Sequence, residues 1–271
     1  MHLTAFTCRY SALLLSLLLA CCTAVPREEH KAYEPIPGQP GKDVVWFPSP
    51  PSTVEVMLDL ARVTPADYVV DLGSGDGRNV IAAAKRGARA LGIEYNPELV
   101  ELSRRNAREQ GVSQLAQFVE GDMFAADFSQ ASVLALFLIP ENLRKLRDKF
   151  ARLAPGTRIV SNAFEIPGWR PAQTATAHGD CTVWCTAYLY IVPAWVEGRW
   201  RLGASELTLE QDFQALSGTL AGRSLVNAQV SADRIRFLAG LDEYVGRVRG
   251  DAMTGTVSGS RSGPWTAVRV K

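Results

Sequence analysis

The sequence predicts an α/β chain: a mostly parallel sheet with helices on both faces, followed by a small antiparallel β module. Three observations carry this expectation. Strand, glycine loop, helix and second strand patterns succeed one another between Tyr68 and Glu94. The same βα alternation continues to residue 163 and closes in a hairpin pattern near Val192. From Ala194 the apolar residues repeat every second position between regularly spaced glycine turns.

The first unit is the most informative. Tyr68 to Leu72 is a short apolar run, as in a buried strand. Gly73, Gly75 and Gly77 follow, then a helical pattern from Asn79 to Arg86 that Gly87 stops. A second apolar run, Ala88 to Ile93, ends in Glu94. Glycines let the backbone turn sharply and approach a ligand. The free N–H groups of the helix start favour an anionic group. An acid closing the next strand can accept from both hydroxyls of a ribose. The unit therefore suits a ligand with a ribose and an anionic end.

A dinucleotide site expects G-x-G-x-x-G. Gly73 and Gly75 fit that spacing, but Arg78 holds the third position. The run Asp71-Leu72-Gly73-Ser74-Gly75-Asp76-Gly77-Arg78, with Gly92-Ile93-Glu94, instead resembles motif I and the acidic loop of class I S-adenosylmethionine (SAM) methyltransferases. The resemblance implies a Rossmann-like seven-stranded class I methyltransferase sheet. It also implies S-adenosyl-L-methionine as cofactor, with Asp71, Gly73, Ser74, Gly75, Asp76, Gly77 and Glu94 as its site.

Composition narrows the alternatives. With 47% hydrophobic residues, the chain can bury a sizeable core. A net charge of +1 gives no overall pull toward nucleic acid or an anionic lipid surface. His2 and His30 lie outside any expected core, which leaves His178 and gives no basis for a histidine-rich metal site.

Residues 1–20 read as a lipoprotein-type signal peptide, with Arg9 before an apolar stretch too short for the roughly 20 residues of a membrane span. Leu18-Leu19-Ala20-Cys21 resembles the bacterial lipobox, which implies lipidation of Cys21 and an envelope protein touching the membrane only through that anchor. An ordinary cleaved signal, or a cytoplasmic-facing chain, is the alternative. Residues 21–42, rich in proline and glycine, read as a tether.

The next domain is expected over residues 43–193. Val44 to Pro51 is a stiff aromatic approach, and Ser52 with Glu55 fits a capping box. The helix that follows covers a sheet edge or lids the cofactor pocket. Asn96-Pro97 caps another helix, which ends at Gly111. Ala116 to Val119 reads as the third strand and leads to Gly121-Asp122-Met123. By the resemblance, Asp122 accepts from the adenine amino group and Met123 packs on the ring. Ser132 to Leu138 reads as the fourth strand, with Leu138-Ile139-Pro140-Glu141-Asn142 at the expected methyl-transfer point. The Asn/Asp-Pro-Pro-Tyr/Phe motif of base and glutamine-amide methyltransferases is absent there. Thr157 to Ala163, Thr174 to Ala177 and Val183 to Val192 supply the last three strands. On a regular strand Cys181 and Cys185 would stand about 13 Å apart, too far for a disulfide, so two buried free thiols are expected.

Pro48-Ser49-Pro50, the motif I run, Gly92-Ile93-Glu94-Tyr95-Asn96-Pro97 and Phe164-Glu165-Ile166-Pro167-Gly168-Trp169 together are similar to one family. It comprises the mitochondrial lysine methyltransferases of the ATP synthase c-subunit and the adenine nucleotide translocase, with archaeal and bacterial relatives. The resemblance implies a protein-lysine N-methyltransferase whose partner is an acceptor lysine and not a nucleic acid. Glu141 and Asn142 are the catalytic candidates, and both also read as cap residues of the following helix. Trp46 stands where relatives often have tyrosine, which bears on the acceptor. The alternatives are a non-catalytic envelope lipoprotein that keeps the fold, or a methyltransferase for a small molecule or lipid.

Residues 194–271 read as a small meander or partial barrel, with Leu207 and Leu209, and Ile235 and Phe237, on alternate positions. Gly198-Arg199-Trp200 and Trp265 are similar to features of small calycin-like barrels. The module is expected to pack against the first domain, with substrate or envelope binding as the alternative.

Overall fold

The computed structural model describes residues 33–270, and His2 alone of the preceding stretch. The expected signal peptide of residues 1–20, the expected lipidation site Cys21 and the expected tether as far as residue 32 lie outside the described residues. Residues 33–42 are not a free tether. Gly38 N–H donates to the Trp46 carbonyl and Trp46 N–H to the Gln39 carbonyl, at 2.8 and 2.9 Å, which makes a strap ahead of the first helix.

The sheet domain contains α1 (Pro51–Leu60), β1 (Tyr68–Leu72), α2 (Arg78–Lys85), β2 (Arg89–Glu94), α3 (Pro97–Glu109), β3 (Ala116–Glu120), β4 (Val133–Leu136), α4 (Pro140–Ala151), β5 (Arg158–Asn162), β6 (Gln173–Thr176) and β7 (Thr186–Ile191). The sheet order is β3-β2-β1-β4-β5-β7-β6. The first five strands are parallel, and β7 runs antiparallel between β5 and β6. The order reverses between β1 and β4, which opens a crevice beyond the carboxyl ends of those strands.

Neighbouring residues of the central strands face opposite sides of the sheet. Val69, Val133, Ala135 and Val160 pack with Met57, Leu58 and Val80 of α1 and α2. Val70, Leu72, Leu134, Leu136 and Ile159 pack with Leu143, Leu146 and Phe150 of α4. Both faces are covered, so these strands read as unbroken apolar runs. Among the four described helices only α3 starts with a side-chain cap; α2 starts after Gly77, and α4 after Ile139 with Pro140 at its first position. Asn96 accepts from Glu98 N–H at 2.9 Å, as expected. The capping box at Ser52 and Glu55 does not form, because α1 begins two residues earlier, with Pro51 at its first position and Pro50 as cap.

Cys181 and Cys185 form a disulfide with Cα atoms 5.6 Å apart, which corrects the expectation of free thiols. The spacing argument assumed a straight strand. Residues 182–184 bend instead, Trp184 takes a left-handed φ of 62°, and β7 begins only at Thr186.

The C-terminal module is larger and more regular than a partial barrel. It comprises β8 (Gly198–Leu202), β9 (Ser205–Asp212), β10 (Ala215–Leu220), β11 (Arg223–Ser231), β12 (Arg234–Ala239), β13 (Asp242–Arg249), β14 (Ala252–Ser258) and β15 (Gly263–Arg269). These eight strands close into a barrel through the β15–β8 pair. Closure removes the two exposed edges that an open meander would present. Trp200, Phe237, Tyr244, Met253 and Trp265 fill its interior. The Arg269 guanidinium lies 4.3 Å over the Trp200 ring. At Gly246 and Gly255 a Cβ would come within 2.5 to 2.8 Å of the Trp265 indole, so the bare backbones make room for it.

The barrel joins the sheet domain through the turn between β9 and β10. Phe213 stacks on Trp169 at 4.1 Å, the Arg147 guanidinium lies 4.5 Å over the Phe213 ring, and Arg147 also pairs with Asp212 at 3.1 Å. Trp169 belongs to the Phe164–Trp169 segment and rests on Tyr190, whose hydroxyl accepts from Ile166 N–H. Removing the Phe213 ring deletes the aromatic centre of this joint. Phe213→Ala is expected to cost about 3–5 kcal/mol. A lowered urea midpoint and faster proteolysis between residues 193 and 197 would register it.

Candidate functional site

The glycine loop after β1 is pinned to the end of β2. Gly73 and Ser74 donate their N–H groups to the Ile93 carbonyl, at 2.8 and 3.1 Å. The Glu94 carboxylate then accepts from Gly75 N–H and from Asn96 N–H, both at 2.9 Å. Gly75 has a left-handed φ of 55°, and a Cβ there would come within 2.6 Å of the Trp46 indole. Only glycine combines that backbone with so close an approach. Trp46 thus lies directly on the loop.

Two adjoining cavities lie over this loop. The larger, about 100 Å3, is lined by Gly73, Ile93, Glu94, Asp122 and Met123, with the strap residues 39–47 on its outer side. The smaller, about 40 Å3, is lined by Asp71, Gly73, Ser74, Gly75 and Asp76, with Ser49 and Asn79. Trp46, Phe47, Gly73 and Phe137 border both. The expected cofactor residues are therefore divided between the two spaces.

Asp71 is 2% exposed. One carboxylate oxygen accepts from Asn79 Nδ2 at 3.0 Å, and the other has no partner among the described residues. Burial pushes its pKa up to about 8, and the nearby Glu94 and Asp76 charges add to this, while the Asn79 bond opposes it. The Ser74 hydroxyl, also buried, is likewise unpartnered. Two buried acceptors without donors are costly unless a ligand meets them. Asp76 is spoken for by Arg78, which reaches it through Nε at 2.9 Å and carries on to the Ser49 carbonyl. Asp122 accepts from Phe124 N–H at 2.8 Å and from Lys42 Nζ at 2.7 Å. The Lys42 hydrogen bond is the main cause that holds the Asp122 carboxyl below its ordinary range.

Three expected site residues lie elsewhere. Gly77 caps α2 behind the loop, where a Cβ would meet the Phe118 ring at 2.7 Å, so it provides clearance and not ligand contact. Glu141 is exposed on α4 and pairs with Arg144 and Lys145, and it borders neither cavity. Asn142 is 1% exposed inside the first turn of α4 and also borders neither cavity. The residues the sequence did not single out include Asn79 and Phe137, which line the cavities, and Asn162, which supports Ser49 at the smaller one. The side chain of Asn162, buried at the end of β5, donates to Ser49 Oγ at 3.0 Å. Phe137 follows β4 directly, and that position was its only signal.

The acceptor set fits SAM. The small cavity offers three oxygens unpartnered among the described residues, Asp71 Oδ1, Ser74 Oγ and Asn79 Oδ1, to an ammonium group, Glu94 faces the larger cavity where a ribose would lie, and Ile93 and Met123 give it apolar walls.

Comparison with known proteins agrees. A family profile described as the ANTKMT methyltransferase domain matches residues 71–173. A protein-lysine N-methyltransferase of Saccharolobus islandicus is 39% identical over 152 residues, 55% of this chain and 94% of that protein. The human lysine N-methyltransferase of the ATP synthase c-subunit is 38% identical over 143 residues, 52% of this chain and 61% of the human protein. The chain thus spans less than two thirds of the human relative. A Salinibacter ruber RNA methyltransferase solved with S-adenosyl-L-homocysteine is 44% identical, with a TM-score of 0.51, and the match covers 55% of this chain and 96% of that one.

The raised pKa of Asp71 makes stability depend on pH. The folded chain keeps a proton that the unfolded chain sheds above about pH 4. This stability is full below that value and is lost as pH rises toward 8. Asp71→Asn removes the titration, so its Tm relative to the unsubstituted chain is expected to rise by several degrees between pH 4 and 8 and then level off. Thermal melts across that range measure the difference.

Proposed function

The chain belongs to the ANTKMT methyltransferase family, and on that premise we propose that it methylates lysine side chains of protein with SAM as methyl donor. The carrying observation is the pair of cavities on the glycine loop, with unpartnered Asp71 and Ser74 acceptors in one and Glu94 in the other. In this reading Asp71 and Ser74 hold the amino-acid end of SAM. Glu94 takes the ribose hydroxyls in place of part of its hold on Gly75 and Asn96. Met123 and Ile93 pack on the adenine, and the adenine amino group competes with Lys42 for Asp122.

When bound, SAM supplies a methyl group on a cationic sulfur; the amine lone pair forms the N–C bond as the S–C bond breaks, and that electron pair stays on sulfur. The chain's own contribution is orientation and a dry approach. Good orientation alone lowers a barrier by roughly 7–11 kcal/mol. The lysine must first lose its proton to water, and an apolar approach favours the neutral amine. With Glu141 on the solvent face of α4, this reading uses no side-chain base there.

The expected place of action remains the bacterial envelope, through Cys21. The Cys181–Cys185 disulfide supports that reading, because such bonds persist in oxidising compartments. Cys21→Ala is expected to release the protein from the membrane fraction; unchanged fractionation would rule out this anchor.

Calorimetric titration of SAM tests the function. Glu94→Ala removes charged hydrogen bonds worth about 1.5–3 kcal/mol, so affinity is expected to fall about 10–150-fold. Labelled methyl groups should then appear in lysine-bearing protein and not in RNA. Undetectable SAM binding by the folded wild-type chain, or label confined to RNA, would overturn the reading.

A further inference from the structure

The two cavities account for the glycine loop but not for the aromatic side chains beside it. Phe47 and Phe137 border both cavities. Trp184 packs on both of them, with ring centroids 5.0 Å from Phe47 and 5.4 Å from Phe137. Phe164 stacks beside Phe137 at 6.3 Å. These four rings come from four separate segments: the strap, the end of β4, the loop after β5 and the bend before β7. Together they make a wall that starts at the cofactor cavities and leads outward to Trp184.

The wall's outer end is held in an unusual way. Trp184 has φ of 62°, a conformation uncommon for a bulky residue. The Cys181–Cys185 disulfide spans the bend that carries it. Thr53, fully buried on α1, donates its hydroxyl to the Trp184 carbonyl at 3.3 Å. A half-buried tryptophan fixed in a left-handed bend by a covalent bond and a buried hydroxyl is positioned and not merely packed. The neighbouring Val183 is 55% exposed and Phe47 37%, so the outer end opens to an incoming chain.

We propose that Phe47, Phe137, Phe164 and Trp184 form the acceptor channel, and that the Cys181–Cys185 disulfide positions Trp184 to receive an alkylammonium side chain and its methylated products. This rests on the lysine methyltransferase reading and specifies its acceptor site. The chemistry suits two demands. An aromatic surface excludes water and so favours the neutral amine that reacts. The same ring faces attract a methylated ammonium, which is weakly hydrated and always cationic when fully methylated. Trp184 is the natural first contact, because tryptophan offers the strongest face for a cation.

The test uses the full chain saturated with S-adenosylhomocysteine and titrated with butyltrimethylammonium, the side chain of fully methylated lysine without its backbone. The wild-type chain is expected to bind it. Trp184→Ala should weaken that binding about fivefold to thirtyfold, the range of one desolvated cation–aromatic contact. Trp184→Phe should recover most of it. The double variant Cys181→Ser/Cys185→Ser keeps every ring but frees the bend, and it should also weaken the cation while leaving the affinity for S-adenosylhomocysteine within about twofold of wild type. Equal cation binding by wild type and Trp184→Ala, or no binding by wild type, would overturn the channel. So would a Trp184→Ala variant that loses S-adenosylhomocysteine in parallel, since the wall would then belong to the cofactor site. A wild-type chain that binds neither SAM nor its product would sink the methyltransferase reading itself.

Discussion

The Glu94 carboxylate is the fastener of the site. It accepts from Gly75 N–H on one side and Asn96 N–H on the other, so one acid ties the glycine loop to the end of β2 and to the cap of α3. A charge-assisted bond to a backbone N–H is among the stronger contacts a loop can have. With that bond in place, Gly75 can lie close under Trp46 and the strap can close over the loop. The shape of both cavities depends on it. A carboxylate held by two amides is also ready to exchange one of them for ligand hydroxyls without moving its backbone.

Polar groups around this fastener are sorted by burial. One Asp71 carboxylate oxygen and the Ser74 hydroxyl are deep and lack partners among the described residues, which is expensive unless a ligand meets them. Asp76 and Asp122 are shallower and already paired, with Arg78 and Lys42. The strap that carries Lys42 also carries Trp46 and Phe47, so one short segment contributes to the walls of both cavities. Binding at either cavity therefore bears on the other through the same backbone.

The barrel stands apart from this chemistry. Its interior is filled by its own aromatic residues, and its hold on the sheet domain includes the Phe213–Trp169 stack with Arg147 and the Gln214 side chain donating to the Arg170 carbonyl. Trp169 belongs to the same segment as Phe164, which flanks the aromatic wall. That segment thus meets the wall at one end and the barrel joint at the other.

The glycine loop, the acid at the end of β2, the cap at Asn96 and the order of the sheet-domain elements were all legible from the sequence. Each rests on contacts between near neighbours in the chain, where spacing alone sets geometry. The period-two pattern after Ala194 likewise announced strands, because one-sided burial imposes that period. Barrel closure was not legible, since the β15–β8 pair joins residues at opposite ends of the module. The disulfide was misjudged because a bend at residues 182–184 replaced the straight strand that the spacing assumed. Glu141 and Asn142 were chosen by chain position, but the helix turns one to solvent and the other into the core. The aromatic wall needed four distant segments to converge. Sequence alone determined the cofactor loop, because it is local; only the tertiary structure decided what faces it, because that depends on which distant side chains the packed sheet brings to one place.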